Sequence, residues 1–244
     1  MGLWAGADGV DADIIGAIVA LSPLAHLAGY RPWQLRWGAT AGEVSARFPG
    51  DGILPRPQWS ATRAVTIGAP VEDVWPWLEQ MGAGDRAGWY RYDVIDNGCV
   101  PSATEIRPDW RLKEGDTARL TAGSPAGFRV ESIDPGRSIV FAYRERNGTV
   151  TAAFVLLASG AGRRRLLHRV RFRVRPTPAA LVWAALMDAG DFVMSRRMLL
   201  GIRARAESSS RGNPRLDATG QPRRSSAARG RWRGSGASHP SPPE

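Results

Sequence analysis

The sequence predicts an α+β domain in which a curved antiparallel sheet wraps around a long C-terminal helix. Three observations predict it. Between Lys113 and Arg175 apolar and polar residues alternate in successive runs separated by turn sequences, the period of half-buried strands. Residues Ala179–Glu207 then carry apolar residues at helical spacing. No other segment is large enough to cover the apolar face that such a sheet must bury. A sheet gripping a single helix commonly leaves an apolar cavity between the two layers.

The elements follow in order. Residues 1–30 form a separate N-terminal segment. It opens small and acidic (Asp8, Asp11, Asp13) and continues as an apolar run, Ile14–Tyr30, interrupted by Ser22, Pro23 and His26. A secretory leader wants a basic start, and this start is acidic. The run is somewhat short for a span of ~20 residues, so a membrane anchor and a helix lying over the domain both stay open. If residues 14–30 insert, Arg31, Arg36 and Arg47 place the main domain on the cytoplasmic side. Residues 31–60 read as an irregular connector, punctuated by Pro32, Pro49-Gly50-Asp51-Gly52, Pro55 and Pro57.

Residues 61–206 are the expected ligand-binding domain. Ala61–Ile67 alternates as a first strand. A short helix follows: Pro70 suits its first turn, Glu72 and Asp73 complement its dipole, and Pro76 should kink it. Strands are expected at Thr117–Leu120, Phe128–Ile133, Ser138–Tyr143, Thr149–Leu157 and Leu166–Arg175. Asp134-Pro135-Gly136 and Asn147-Gly148 supply hairpin chemistry between them. The last strand sets Leu166, His168, Val170, Phe172 and Val174 on one face and Leu167, Arg169, Arg171, Arg173 and Arg175 on the other. In the long helix Leu181, Leu186, Phe192, Val193, Leu199 and Ile202 supply the apolar stripe. Residues 207–244, rich in Arg, Ser, Gly and Pro, read as a disordered tail.

Composition narrows the chemistry. A single cysteine, Cys99, excludes an intramolecular disulfide and a cysteine-based zinc site. Three scattered histidines (His26, His168, His239) give no metal-ligand spacing, and no metal or cofactor is expected. The formal net charge of +10, carried by 33 Lys and Arg of which Lys113 is the only lysine, favours anionic contacts. Gly82-Ala83-Gly84-Asp85-Arg86-Ala87 imitates a dinucleotide fingerprint. It follows a helix where the phosphate cradle needs a strand, so it is not read as one. No Gly-x-Ser-x-Gly nucleophile elbow occurs.

Several motifs carry a resemblance. They are Leu35-Arg36-Trp37-Gly38-Ala39-Thr40, Pro49-Gly50-Asp51, Ile67-Gly68-Ala69-Pro70 and Val74-Trp75-Pro76-Trp77-Leu78 with Gln80-Met81-Gly82. Further along come Gly88-Trp89-Tyr90-Arg91-Tyr92-Asp93, Gly115-Asp116, and Phe192-Val193-Met194 with Arg196-Arg197-Met198-Leu199-Leu200-Gly201-Ile202. Through them, over roughly residues 31–206, the chain resembles the START-related, polyketide-cyclase and lipid-transfer (SRPBCC) superfamily, in particular bacterial members with an N-terminal apolar segment. The resemblance implies a helix-grip fold with a hydrophobic ligand cavity. It implies no agreed catalytic residues.

The candidate ligand-binding residues are Trp89, Tyr90, Tyr92, Phe141, Tyr143, His168 and Phe172. Aromatic walls with one polar group suit an apolar ligand such as a lipid or polyketide. His168 falls on the apolar face, where it either orients a ligand or is satisfied within the core. The leading expectation is non-catalytic binding of a small hydrophobic ligand. One alternative is a cyclase or dehydratase using His168 or Asp93, although Asp93 and Glu105 equally suit pairing with Arg91 or Arg107. Another is an anionic membrane-surface binder acting through Arg169, Arg171, Arg173 and Arg175 and the tail. That face interleaves no aromatic residue, so nucleic acid is not expected as a partner.

Overall fold

The computed structural model describes residues 29–160 and 162–212; the side chains of residues 179–186 and 189 are not described. The apolar run before residue 29 and the tail from residue 213 therefore lie outside the described residues. Among the described residues, no helix is long and apolar enough to cross a membrane.

Two short helices, α1 (Arg31–Leu35) and α2 (Ala41–Ser45), precede strand β1 (Trp59–Ile67). Helix α3 (Val71–Glu79) and a single turn, α4 (Asp93–Asp96), follow. The chain then forms β2 (Thr117–Arg119), β3 (Gly127–Asp134), β4 (Ser138–Glu145), β5 (Gly148–Ala158) and β6 (Arg164–Val174) before helix α5 (Pro178–Gly212). The six strands make one sheet in the order β1-β6-β5-β4-β3-β2, every neighbour antiparallel. Consecutive strands from β2 to β6 pair as a meander, and β1 closes against the last of them. This sheet, with α5 packed on its inner face, is the helix-grip architecture.

Register explains the inner face. Arg63, His168 and Phe154 are aligned across β1, β6 and β5, and Ala61, Val170, Ala152 and Phe141 form the next row. Strand side chains alternate between faces, so these rows point toward α5. Met198, Leu199, Ile202 and Ala206 of α5 share one core with Trp77, Leu78 and Met81 around α3 and with the inner strand residues. Pro76 sits inside α3 without ending it, and the helix stops three residues later at Glu79. In α5, Phe192, Leu199 and Ile202 are buried as the spacing predicts, whereas Val193 is 48% exposed and leaves the stripe.

Residues 31–60, expected as an irregular connector, hold α1, α2 and the start of β1. Thr40 caps α2 with a reciprocal capping box to Glu43. The chain then turns at Phe48–Asp51, where the Asp51 carboxylate accepts from the Phe48 N–H at 3.0 Å. Phe48 packs with Ala64, Val140, Ala153 and Leu167 in a second small core on the outer face of the sheet. Gly50 adopts φ +82° there, and a Cβ would stand 2.4 Å from Val140 Cγ1, so the turn needs glycine.

This strap covers part of the basic face that the strand alternation sets outward. Arg169 is only 6% exposed. Its guanidinium lies 3.8 Å from the centre of the Phe48 ring. It donates to Thr62 Oγ1, Asp51 Oδ2 and the carbonyls of Glu43, Val44 and Ala46. Arg171 pairs with Asp51 at 3.0 Å and Arg165 with Glu43 at 2.7 Å. Arg173 and Arg175 remain exposed. The physical reason is that a partly buried guanidinium needs acceptors, and the strap's carbonyls and carboxylates supply them.

Candidate functional site

Between the inner face of the sheet and α5 lies a cavity of about 80 Å³. Its aromatic wall is continuous. Trp89, Phe141 and Phe154 follow one another at ring separations of 6.2 and 6.0 Å, edge to face, and Phe154 stacks on His168 at 4.4 Å. Phe128 meets both Trp89 and Phe141 at 6.2 Å. Trp89 is held by its indole N–H, which donates to the Arg119 carbonyl at 2.8 Å. Met198 from α5 closes the opposite side.

Arg91, His168, Asp191 and Ser195 are the polar residues of the lining. Asp191 on α5 pairs with Arg63 Nη1 at 2.5 Å and accepts from Ser195 Oγ, one helical turn on, at 3.1 Å. Arg63 is fully buried; its Nε donates to the Gln34 carbonyl, and its Nη2 has no partner among the described residues. Arg91 pairs with Asp96 and lies 5.4 Å over the Trp89 ring. Burial raises the Asp96 carboxyl above its ordinary range, with Arg91 opposing.

His168 is 3% exposed, lines the cavity, and its Nδ1 has no hydrogen-bond partner among the described residues. Burial pushes its pKa down to about 3; Arg63 and Arg91 push the same way, and Asp191 opposes. The imidazole is therefore neutral at ordinary pH. It offers one donor and one acceptor rather than a charge.

The sequence-derived candidates divide. Trp89, Phe141 and His168 line the cavity together. Phe172 is on the inner face but packs against Trp59 at 6.0 Å, beyond the lining. Tyr143 reaches Phe128 at 6.2 Å, and its hydroxyl donates to Glu145, which pushes its pKa up to about 12. Tyr90 is buried in the core: its hydroxyl donates to the Trp77 carbonyl at 3.0 Å and accepts from Gln80 Nε2 at 3.1 Å. Tyr92 is 39% exposed under Arg197. Asp93 serves Ser102, accepting from its N–H at 2.8 Å and from its hydroxyl, outside the lining. Arg91 takes Asp96 as its partner, not Asp93.

Arg63, Asp191 and Ser195 were not among the candidates. One signal was available: in Ala61–Ile67 the alternation that makes a strand sets Arg63 in phase with Ala61, Val65 and Ile67. A guanidinium on an apolar face demands an acid, and Asp191 sits on the long helix α5.

No family model matches the sequence, and neither does any curated protein. Solved structures with a similar arrangement include a hypothetical protein from Helicobacter pylori (TM-score 0.45, 13% identity, covering 66% of this chain and 96% of that one). A START superfamily protein from Mycobacterium smegmatis is also similar (TM-score 0.35, 14% identity, 63% and 97%). So is CalU16 from Micromonospora echinospora (TM-score 0.31, 15% identity, 61% and 84%). At these scores the fold assignment stands on strand order and on the packing of α5. The six-stranded sheet closed on its C-terminal helix is the helix-grip fold of the START-related superfamily that the motifs of this chain resemble.

Proposed function

We propose that the protein binds a small, mainly apolar organic molecule between the sheet and α5, without transforming it. The observation that carries this reading is an aromatic-walled cavity lined by His168, whose buried Nδ1 has no hydrogen-bond partner among the described residues. An unmet polar atom at such depth costs roughly 1–3 kcal/mol, which a ligand's hydroxyl or carbonyl recovers. The aromatic wall supplies affinity by apolar burial, ~25 cal/mol per Å².

The cavity of about 80 Å³ is smaller than sites that enclose a whole ligand. Entry therefore requires the wall to yield. Met198, unbranched and adaptable, is the part of the lining suited to move.

A cyclase or dehydratase needs a group that takes and returns a proton near neutrality. His168, held to about 3, and Asp93, committed to Ser102, do not suit that task, which favours binding.

Titration with Nile red, a neutral apolar dye, tests the proposal. Saturable binding is expected in the wild type and its loss in Ala152→Phe, which fills the cavity beside Phe141, with the folded circular dichroism spectrum retained. Equal binding by both proteins, or none by the wild type together with a bare native mass spectrum, would overturn it.

A further inference from the structure

A second and much larger cavity, about 600 Å³, lies on the opposite face of the sheet, between β6 and the strap of residues 44–55. Its volume falls within the range of small-molecule sites. The strap's Val44 and Pro55 give it an apolar rim, and Arg169 and Arg171 lie at its floor with Asp51 and Arg47 beside them.

The charges here are not matched. Arg169 is saturated by five acceptors on Thr62, Asp51, Glu43, Val44 and Ala46. Asp51 is shared between Arg169 at 2.9 Å and Arg171 at 3.0 Å. Arg171 engages Asp51 through Nη1 alone, and its Nε is buried without a partner among the described residues. Arg47 is exposed and has no ion-pair partner among the described residues. Three guanidiniums thus face one carboxylate, an excess of two positive charges in a walled pocket.

We propose that this outer pocket binds a small organic phosphate monoester. A phosphate monoester carries close to two negative charges at neutral pH and matches guanidinium forks with paired oxygens. Arg171 and Arg47 hold the phosphate, and Val44 and Pro55 carry the organic body. Arg169 builds the floor and makes no further bond. The site is independent of the inner cavity: the β-sheet separates them.

Isothermal titration with phenyl phosphate tests it. One saturable site is expected in the wild type, weakened about tenfold or more in Arg47→Ala, in line with the loss of a charge-assisted contact. Arg171→Gln is expected to abolish binding. Arg47 is exposed and makes no bond to the other described residues, so its variant keeps the test sound if Arg171→Gln fails to fold. Phenol, lacking the charge, is expected not to bind here, and Ala152→Phe is expected to leave phenyl phosphate binding unchanged. Absence of saturable binding overturns the proposal. So does binding that ignores Arg47→Ala, or binding lost only in Ala152→Phe, which would place the probe in the inner cavity. Phosphatidylcholine vesicles doped with phosphatidic acid separate the two sources of such a group. Sedimentation with them, competed by phenyl phosphate and lost in Arg47→Ala, assigns a lipid headgroup; no sedimentation alongside phenyl phosphate binding assigns a soluble ester.

Discussion

Arg63 of the first strand and Asp191 of the last helix meet at 2.5 Å in the interior, the arginine wholly removed from solvent. This pair ties the two ends of the domain together beside the cavity. Removing one partner leaves a buried unpaired charge, which costs about 3–5 kcal/mol, whereas replacing both by apolar groups is close to neutral. Urea denaturation is expected to show Asp191→Ala far less stable than wild type and Arg63→Met/Asp191→Leu recovering most of the loss. An additive double variant would show that the two residues are not coupled.

His168 makes stability depend on pH in a defined direction. Its folded pKa, about 3, lies below its ordinary value of 6.5. Above 6.5 both folded and unfolded chains hold it neutral, and it contributes no slope. As pH falls below 6.5 the unfolded chain takes up a proton that the folded chain refuses, so stability declines by about 1.4 kcal/mol per pH unit until the folded pKa is reached. Denaturation at pH 7 and pH 5 is expected to show this loss in wild type, with a smaller loss in His168→Phe.

Met198 is 3% exposed and forms the helix side of the cavity. Met198→Ala is expected to cost about 2–5 kcal/mol through lost contacts and the enlarged void. The same variant is expected to bind Nile red more tightly than wild type, because the space is already open. Destabilisation without tighter binding would show that the void collapses.

Helix α5 passes close to Tyr90 at Gly201, where a Cβ would stand 2.3 Å from the Tyr90 carbonyl oxygen. Tyr90 itself occupies the left-handed region at φ +57°, with its N–H bonded to Ser102 Oγ at 3.2 Å. Alanine favours a helix over glycine by about 0.8–1.0 kcal/mol. Steric conflict with a pinned backbone is nonetheless expected to win, so Gly201→Ala lowers the melting temperature. A rise would show that the Tyr90 turn relaxes freely.

The architecture was largely legible before any coordinates. The strand expected at Thr149–Leu157 is found at Gly148–Ala158, and the helix expected at Ala179–Glu207 at Pro178–Gly212. Two-residue alternation and helical spacing are local properties, so a single segment reveals them. Partnership is not local. Arg169 and Asp51 are separated by 118 positions, and nothing in the sequence of β6 alone tells that a proline-punctuated stretch folds over it. The same limit hid Asp191 behind Arg63, and it left Tyr90 among cavity candidates although its hydroxyl is spent on Trp77 and Gln80.

The strap bears on which basic residue this surface can use. Lysine would preserve the formal charge at position 169, but its ammonium has three donors on a flexible stem and no planar fork. It could not stitch Thr62, Asp51 and three main-chain oxygens at once. At this point on the domain's exterior, arginine works as masonry rather than as a magnet.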